Sequence, residues 1–466
     1  MALTKAHNRM IEGAAVNVKD FGAVGDGVTD DTTAIQAAID AVSNNGGGEV
    51  YIPNGVYAVN NLIAKEGVTL FSNNIGPVKT ATAIRKPYLK LNATGSIIKT
   101  TSDTNNFSVV GLFFDGGGVS GDTRGIILGS DSSIFSDSTT HSATKFNLFS
   151  CTFNNFQREG VLAKNTGALR MRDCFTQNCL LDATYLTQQR AACAIYGNDS
   201  RISGCEFASL PGSATGVTSA NLYAAALGLF GGGNRANSFV EETVGELSDV
   251  GIYCDQKLIR LVNVRCDQNF GHGFVFDQSR GQLANCTAYA NGQDTTNTYD
   301  GFHVKSGINQ IQFSNCLADS QDVTNKHRYG FFDESSANTA EYKNSYDSGC
   351  RSFDHATQAF YTPNGVSIQT PYGEEILFSD GDTTPDVDGW GAFRTANTSA
   401  TTITNFDNGF IGQVLRVRIN DSNTTIGNGA TIKTGTGTNV NAVVNSVAEF
   451  VKQGSVWYLT NRASIV

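Results

Sequence analysis

Charged residues make up only 16% of this 466-residue chain, and Met (3), Trp (2) and Pro (7) are scarce. So little charge leaves little material for long solvent-facing helices. Fifty glycines, with many Asn, Ser and Thr, suit frequent turns between short strands instead. Net charge is -10, with a pI near 5.1. That excludes a broad nucleic-acid surface, which needs Lys and Arg against phosphates. An anionic polymer would have to be held by a local basic patch. No apolar run is long enough to span a bilayer, and MALTKAHNRMIEGAA has no apolar core of signal-peptide length. The reading is a soluble, cytosolically made chain with neither nucleic acid nor membrane insertion among its partners. The ten cysteines form no CxxC pair and the six histidines no zinc spacing, so neither a metal nor a cofactor is expected.

What the chain has is a repeat. LFSC at 148, MRDC at 171, ISGC at 202, LVNV at 261, LANC at 283, FSNC at 313 and YKNS at 342 recur at 22 to 31 residues, apart from one interval of 59. NSFV at 237 is the candidate for the rung missing from that interval. A second element follows each: GVLAK at 160, a weaker AIYGN at 194, GIYCD at 251, GFVFD at 273, GFHVK at 301 and GFFDE at 330. Alternation after the glycine is that of a strand with one buried face. A unit of about 22 residues lengthened only by loops is a stacked β-solenoid.

In this register Cys151, Cys174, Cys205, Cys286 and Cys316 form one inward column, with Val264 and Ser345 as substitutes. Free buried thiols are expected. Asn263, Asn285, Asn315 and Asn344 form the preceding column, at a bend. At the N-terminus Ala34, Ile35, Ala38, Ile39 and Val42 predict a helix over 31–42, with Asp30, Asp31 or Thr32 as N-cap. Such a helix can cover an open solenoid end.

VNVKDFGAVGDGVTDDTTAIQAAIDAVSNNGGGEVYIPNGVY resembles the entry segment of the pectate-lyase-like, right-handed parallel β-helix superfamily. With LTKAHNRMIEGA before it, the segment is most similar to bacteriophage tailspikes and tail-associated depolymerases. The resemblance implies an all-β fold: a single-stranded right-handed parallel β-helix with an N-terminal capping helix and a small C-terminal β-domain. Expected segments are 1–15 for attachment, 16–70 for entry and capping, 71–371 for the β-helix body, and 372–466 for a β-module in trimerisation or glycan contact. The family implies a homotrimer on a virion tail, made in the host cytoplasm and acting at the bacterial surface. It would bind and cleave capsule, O-antigen or exopolysaccharide, with other phage tail proteins among its partners. Alternatives are a non-catalytic receptor-binding spike, a polysaccharide lyase of the same fold, or a host pectin- or alginate-active enzyme.

Counting from each glycine, the second and fourth following positions face outward. The fourth gives Lys164, Asn198, Asp255, Asp277, Lys305 and Glu334; the second gives Leu162, Tyr196, Tyr253, Val275, His303 and Phe332. One rung apart, Asp255 and Asp277 suit the roughly 5 Å of a retaining glycosidase, and Asp277 with Glu334 the wider inverting pair. Asp255, Asp277, Glu334 and His303 are therefore the candidate catalytic residues, with hydrolysis placed ahead of elimination. Tyr253, His272, Asp300, Lys305, Tyr329 and Tyr196 are the candidate substrate-binding residues, since long insertions before Asp300 and Tyr329 can wall a groove. The pair GIYCDQ and DQNFGHGFVFD also resembles mannuronan C5-epimerases, whose corresponding strand carries Asp-Pro-His-Glu. This chain has Tyr253-Cys254-Asp255-Gln256 there, and a lyase would draw its base from Tyr253, His303 or Lys305.

Overall fold

The computed structural model describes residues 14–73, 87–132, 139–181, 190–209, 224–334, 344–346, 349–361, 367–368, 375–387, 391–409 and 413–464, except 279, 296, 322, 323 and 442. The chain divides into two units: Met1–Ile308 with Leu317–Phe332 and Ser352–Tyr361, and Asn309–Cys316 with Asp333–Arg351 and Thr362–Val466.

The first unit is a right-handed parallel β-helix. Each rung gives one short strand to each of three parallel sheets, as in Ile259–Val262, Arg265–Asp267 and Phe274–Phe276. The first sheet starts at Val16–Asn17, the second at Asp26–Asp30 and the third at Leu62–Ile63. Stacking puts equivalent residues of successive rungs in register, for example Leu261 with Leu283 and Phe274 with Phe302. Inward rings accordingly stack along the axis: Phe274, Phe302 and Phe331 lie with centroids 4.7 Å apart and planes within 4°. Each such contact is worth about 0.5–1.5 kcal/mol beyond area burial.

The tetrapeptides are the first-sheet strands, and NSFV supplies the missing rung as Phe239–Glu241. At the bend after them Asn263 and Asn285 hold φ of 53° and 54°, and the Asn285 side-chain amide donates to Asn263 Oδ1 at 3.2 Å. Asparagine recurs there because a left-handed residue is needed and its side chain tolerates that region. Cys151, Cys174, Cys205, Cys286 and Cys316 are all buried, and all ten cysteines are free. Denaturing, non-reducing titration should therefore release ten thiols, while the native protein reacts slowly; a lower count would disprove the ladder.

Two members of the columns need correction. Tyr346 rather than the YKNS tetrapeptide matches Phe313, so Ser345 is exposed and Cys350 follows Cys316 in the inward column. Asn344 is not at the bend; it is buried and donates to Asp333 Oδ2 at 2.9 Å. One extra residue between Tyr346 and Cys350 hides this register from tetrapeptide matching.

The helix spans Thr32–Asn44 and buries Ile35, Ala38, Ile39 and Val42. Asp31 stands at its N-cap, but its carboxylate holds the preceding glycine loop, accepting from Val24 N at 2.6 Å and Gly25 N at 3.0 Å. Asp30 accepts from Thr32 N at 3.0 Å. Gln36 pairs with the end strand of the third sheet, donating to Ile63 O at 3.2 Å and accepting from Ile63 N at 2.7 Å. The helix thereby satisfies an edge that would otherwise template another strand.

In the second unit Val414–Ile419 pairs antiparallel with Ser446–Gln453, and that strand with Val456–Ser464. Trp457 is fully buried in the core of this part and donates its indole N–H to Phe406 O at 3.0 Å, so it is no sugar platform. Trp390 and the attachment segment up to residue 13 lie outside the described residues. Among the described residues no helix is long and apolar enough to cross a membrane.

Candidate functional site

The outer face of the third sheet gathers most of the candidate residues. Its strands Val250–Lys257, Phe274–Phe276 and Phe302–Val304 pair Tyr253 with Val275 and His303, and Cys254 with Phe276 and Val304. Asp255, Asp277 and Lys305, each the next residue along, therefore share an outward column. Tyr196 does not belong with Tyr253. Leu162 pairs with Ala194, so Ala192 occupies the glycine place of that rung and Tyr196 falls in the Asp255 column, while Asn198 leaves it. A methyl fits there, whereas a Cβ on Gly251 would meet Cys266 Sγ at 2.5 Å. Ala226 likewise replaces the glycine of the rung Ala224–Ala236, which glycine matching missed altogether. That rung contributes Phe230, whose ring lies 4.9 Å from Tyr196 and 5.7 Å from Tyr253.

Two linked clusters result. In the first, Asp277 Oδ2 accepts from the Tyr253 hydroxyl and from Lys305 Nζ, the latter at 2.8 Å; Lys305 also donates to Tyr253 Oη at 3.2 Å. Tyr253 is buried, while the Lys305 and Asp277 side chains keep 20% and 35% of their surface. Asp255 accepts a longer bond, from Gly231 N at 3.4 Å.

In the second cluster Asp300 is fully buried, and its Oδ2 accepts from His303 Nδ1 at 2.9 Å. Arg328 grips both carboxylate oxygens, at 3.0 Å and 2.8 Å, and the Tyr329 amide adds a bond at 3.3 Å. Burial alone would raise the Asp300 pKa, but the hydrogen bonds donated by His303 and Arg328 carry it below the ordinary carboxylate value. The Asp300 amide donates to His272 Nδ1 at 3.0 Å, which fixes His272 as the neutral tautomer with its proton on Nε2. Burial and repulsion from His303 push the His272 pKa down to about 3. His303 has the opposite tautomer: a carboxylate can only accept, so Nδ1 carries the proton and Nε2 the lone pair.

His272, Asp300 and His303 bring their ligand atoms within 4.8 Å of one another, the spacing of a cation site. The donor chemistry opposes one. The Nδ1 lone pair of His272 is already used, and the Arg328 guanidinium sits on the carboxylate a metal would need.

Asp300, read from the sequence as a substrate contact, lies fully buried beneath His303 and Arg328. Tyr329 is half-buried under Arg328, whose guanidinium lies 4.9 Å from its ring. Glu334 is partly buried and belongs to the second unit. Nothing in the sequence spacing marks Arg328, because the insertion QDVTNKHRY follows no rung period.

Acid stability follows from these histidines. Burial takes His327 down to about 4 as well as His272 to about 3, against an ordinary 6.5. The folded state binds fewer protons than the unfolded chain in that range, so the stabilisation is whole above pH 6.5 and is lost as pH falls toward 4. Asp249 acts the other way: burial raises it to about 6, so its contribution is present below its unfolded value near 3.8 and is lost as pH rises through 6. Denaturant midpoints should fall from pH 6.5 to 4.5, and Asp249→Asn should steepen that fall; a flat profile would contradict the buried neutral histidines.

Residues 15–224 match the family model described as rhamnogalacturonase A/epimerase, pectate lyase-like. That match ends before the clusters just described. A mannuronan C5-epimerase of Azotobacter vinelandii is 39% identical over 146 residues, 27% of this chain and 10% of that protein. Alginate lyase 7 of the same organism is 57% identical over 60 residues, 13% of this chain and 7% of that protein. The chain thus spans a tenth or less of the length of these relatives. Among solved structures, the Dettilon tailspike protein aligns with a TM-score of 0.49 at 12% identity, covering 94% of this chain and 78% of that one. Over residues 15–224, somewhat less than half of its length, the chain is therefore similar to the pectate-lyase-like family, in keeping with its stacked parallel strands.

Proposed function

We propose that this chain cleaves an acidic polysaccharide on the outer face of the third sheet, by elimination at a uronic acid. The observation that carries this reading is the Asp300 to His303 bond, which makes Nε2 the basic nitrogen of a ring that shares a register column with Tyr253, on the strand that runs on to Lys305. His303 takes the proton α to the uronate carboxylate, Lys305 neutralises that carboxylate, and Tyr253 protonates the departing glycosidic oxygen. The names of the two relatives, a mannuronan epimerase and an alginate lyase, support a uronate polymer.

Hydrolysis by Asp255 and Asp277 is the second reading, favoured by their register, since neighbouring strands lie about 4.8 Å apart. Against it, Asp277 is engaged by Lys305 and Tyr253. Place and assembly, a homotrimeric spike on a phage tail at the bacterial surface, rest on the entry-segment resemblance; light scattering of the purified protein checks the trimer.

The decisive experiment incubates the protein with a panel of bacterial surface glycans and alginate. Shortened chains with ultraviolet-absorbing unsaturated ends support elimination. New saturated reducing ends mean hydrolysis, and binding without shortening means a non-catalytic spike.

A further inference from the structure

The first sheet carries a second feature, on a different sheet from the chemistry. Its outer face presents Arg170, Arg201, Phe239 and Arg260 as one in-register column. All three arginines are exposed, and Phe239 is half-exposed between two of them. Among the described residues no ion pair or side-chain hydrogen bond engages these three guanidiniums. Like charges set directly opposite on neighbouring strands, about 4.8 Å apart, destabilise a sheet. Arg170 and Arg201 are such a pair, and no carboxylate stands in the column to relieve them. An external anion would supply what the column lacks.

The surroundings have the form of a site. Asp199, Arg201, Asn237, Ser238, Phe239 and Arg260 line a depression of about 310 Å³. Its rim is fixed rather than loose: the Asn237 amide donates to Asp199 Oδ1 at 2.6 Å, and buried Ser238 donates to Gln256 Oε1 at 2.6 Å. An aromatic face, two flanking guanidiniums and an Asn with a carboxylate are the groups that hold an acidic sugar. The ring stacks on its C–H face, the guanidiniums take its carboxylate bidentately, and the rim accepts hydroxyls.

We propose that this depression is a non-catalytic binding site for a segment of anionic polysaccharide running along the helix axis, one guanidinium or ring per rung. It answers the basic patch that a chain of net charge -10 requires for such a polymer. The proposal rests on the polysaccharide reading but not on where or how cleavage occurs.

The test titrates the full chain calorimetrically with oligomannuronate, using neutral dextran oligomers as control. Binding of the acidic oligomer should persist in Tyr253→Phe and weaken at least tenfold in Arg201→Ala with Arg260→Ala, and in Phe239→Ala. Its salt dependence should also diminish in the double variant. In cleavage assays that variant should raise KM for polymer and leave short substrates unaffected. Wild-type binding that survives the double variant but is lost in Tyr253→Phe would overturn the proposal. So would absence of any binding to the acidic oligomer, an outcome that leaves cleavage of other surface glycans standing. If the wild-type protein runs as a multimer in light scattering and the same variants run as monomers, the proposal falls and this face is an interface between copies.

Discussion

His303→Ala is expected to lower kcat by about 10²–10⁴-fold, the range of a lost general base, and to lower stability by about 1–3 kcal/mol, because it withdraws a donor from the buried Asp300 carboxylate. The side chain is nearly covered, yet it lies on the outer face of the sheet, and its loss leaves the inward Phe stack untouched. Asp300→Asn is the informative companion. An asparagine can still meet His303 but can present its amide N–H, which would favour the tautomer with Nδ1 as acceptor and remove the lone pair from Nε2. It should reduce kcat with little change in KM and displace the acidic limb of the pH profile. Full activity in His303→Ala moves the chemistry to the Asp255 and Asp277 pair, where Asp277→Asn becomes the deciding variant.

Glu159→Ala should destabilise the first unit by about 3–5 kcal/mol, as loss of one partner from a buried ion pair does. Glu159 is completely buried and holds two guanidiniums, accepting from Arg124 Nε at 2.7 Å and Arg190 Nη1 at 3.2 Å. Burial raises its pKa, but the two arginines more than offset this and hold it below the usual value. Arg190, itself only 10% exposed, would be left beside Arg124 with no carboxylate between them. Denaturant midpoints, compared with those of an exposed control such as Glu66→Ala, give the measurement; equal midpoints would show that the cluster tolerates the loss. Glu159 occupies the position before a rung glycine, the same place as His272 and Asp300, so one column serves architecture at one end and the candidate chemistry at the other.

Much of this was legible in order and spacing. The cysteine column, the asparagine bend and the capping helix each depend on one local requirement: a small inward side chain, a left-handed residue, a 3.6-residue apolar period. Each leaves its mark on every rung or turn. Asp255, Asp277 and Lys305 aligned correctly because three consecutive rungs keep the glycine. The rungs at Ala192 and Ala226 did not, since a methyl is tolerated where neighbouring side chains leave room, and that room is a property of packing.

Sequence alone thus determined a stacked β-solenoid with a lid, and the strip of third-sheet residues where the candidate site lies, because a repeating fold repeats its constraints. Tertiary structure decided the rest. It closed Asp300 off with Arg328, chose opposite tautomers for His272 and His303, and set Lys305 and Tyr253 on Asp277. It also lined up Arg170, Arg201, Phe239 and Arg260 from rungs of unequal length. These depend on side chains that loops of variable length bring together, and no spacing in a one-dimensional chain encodes where such a loop returns.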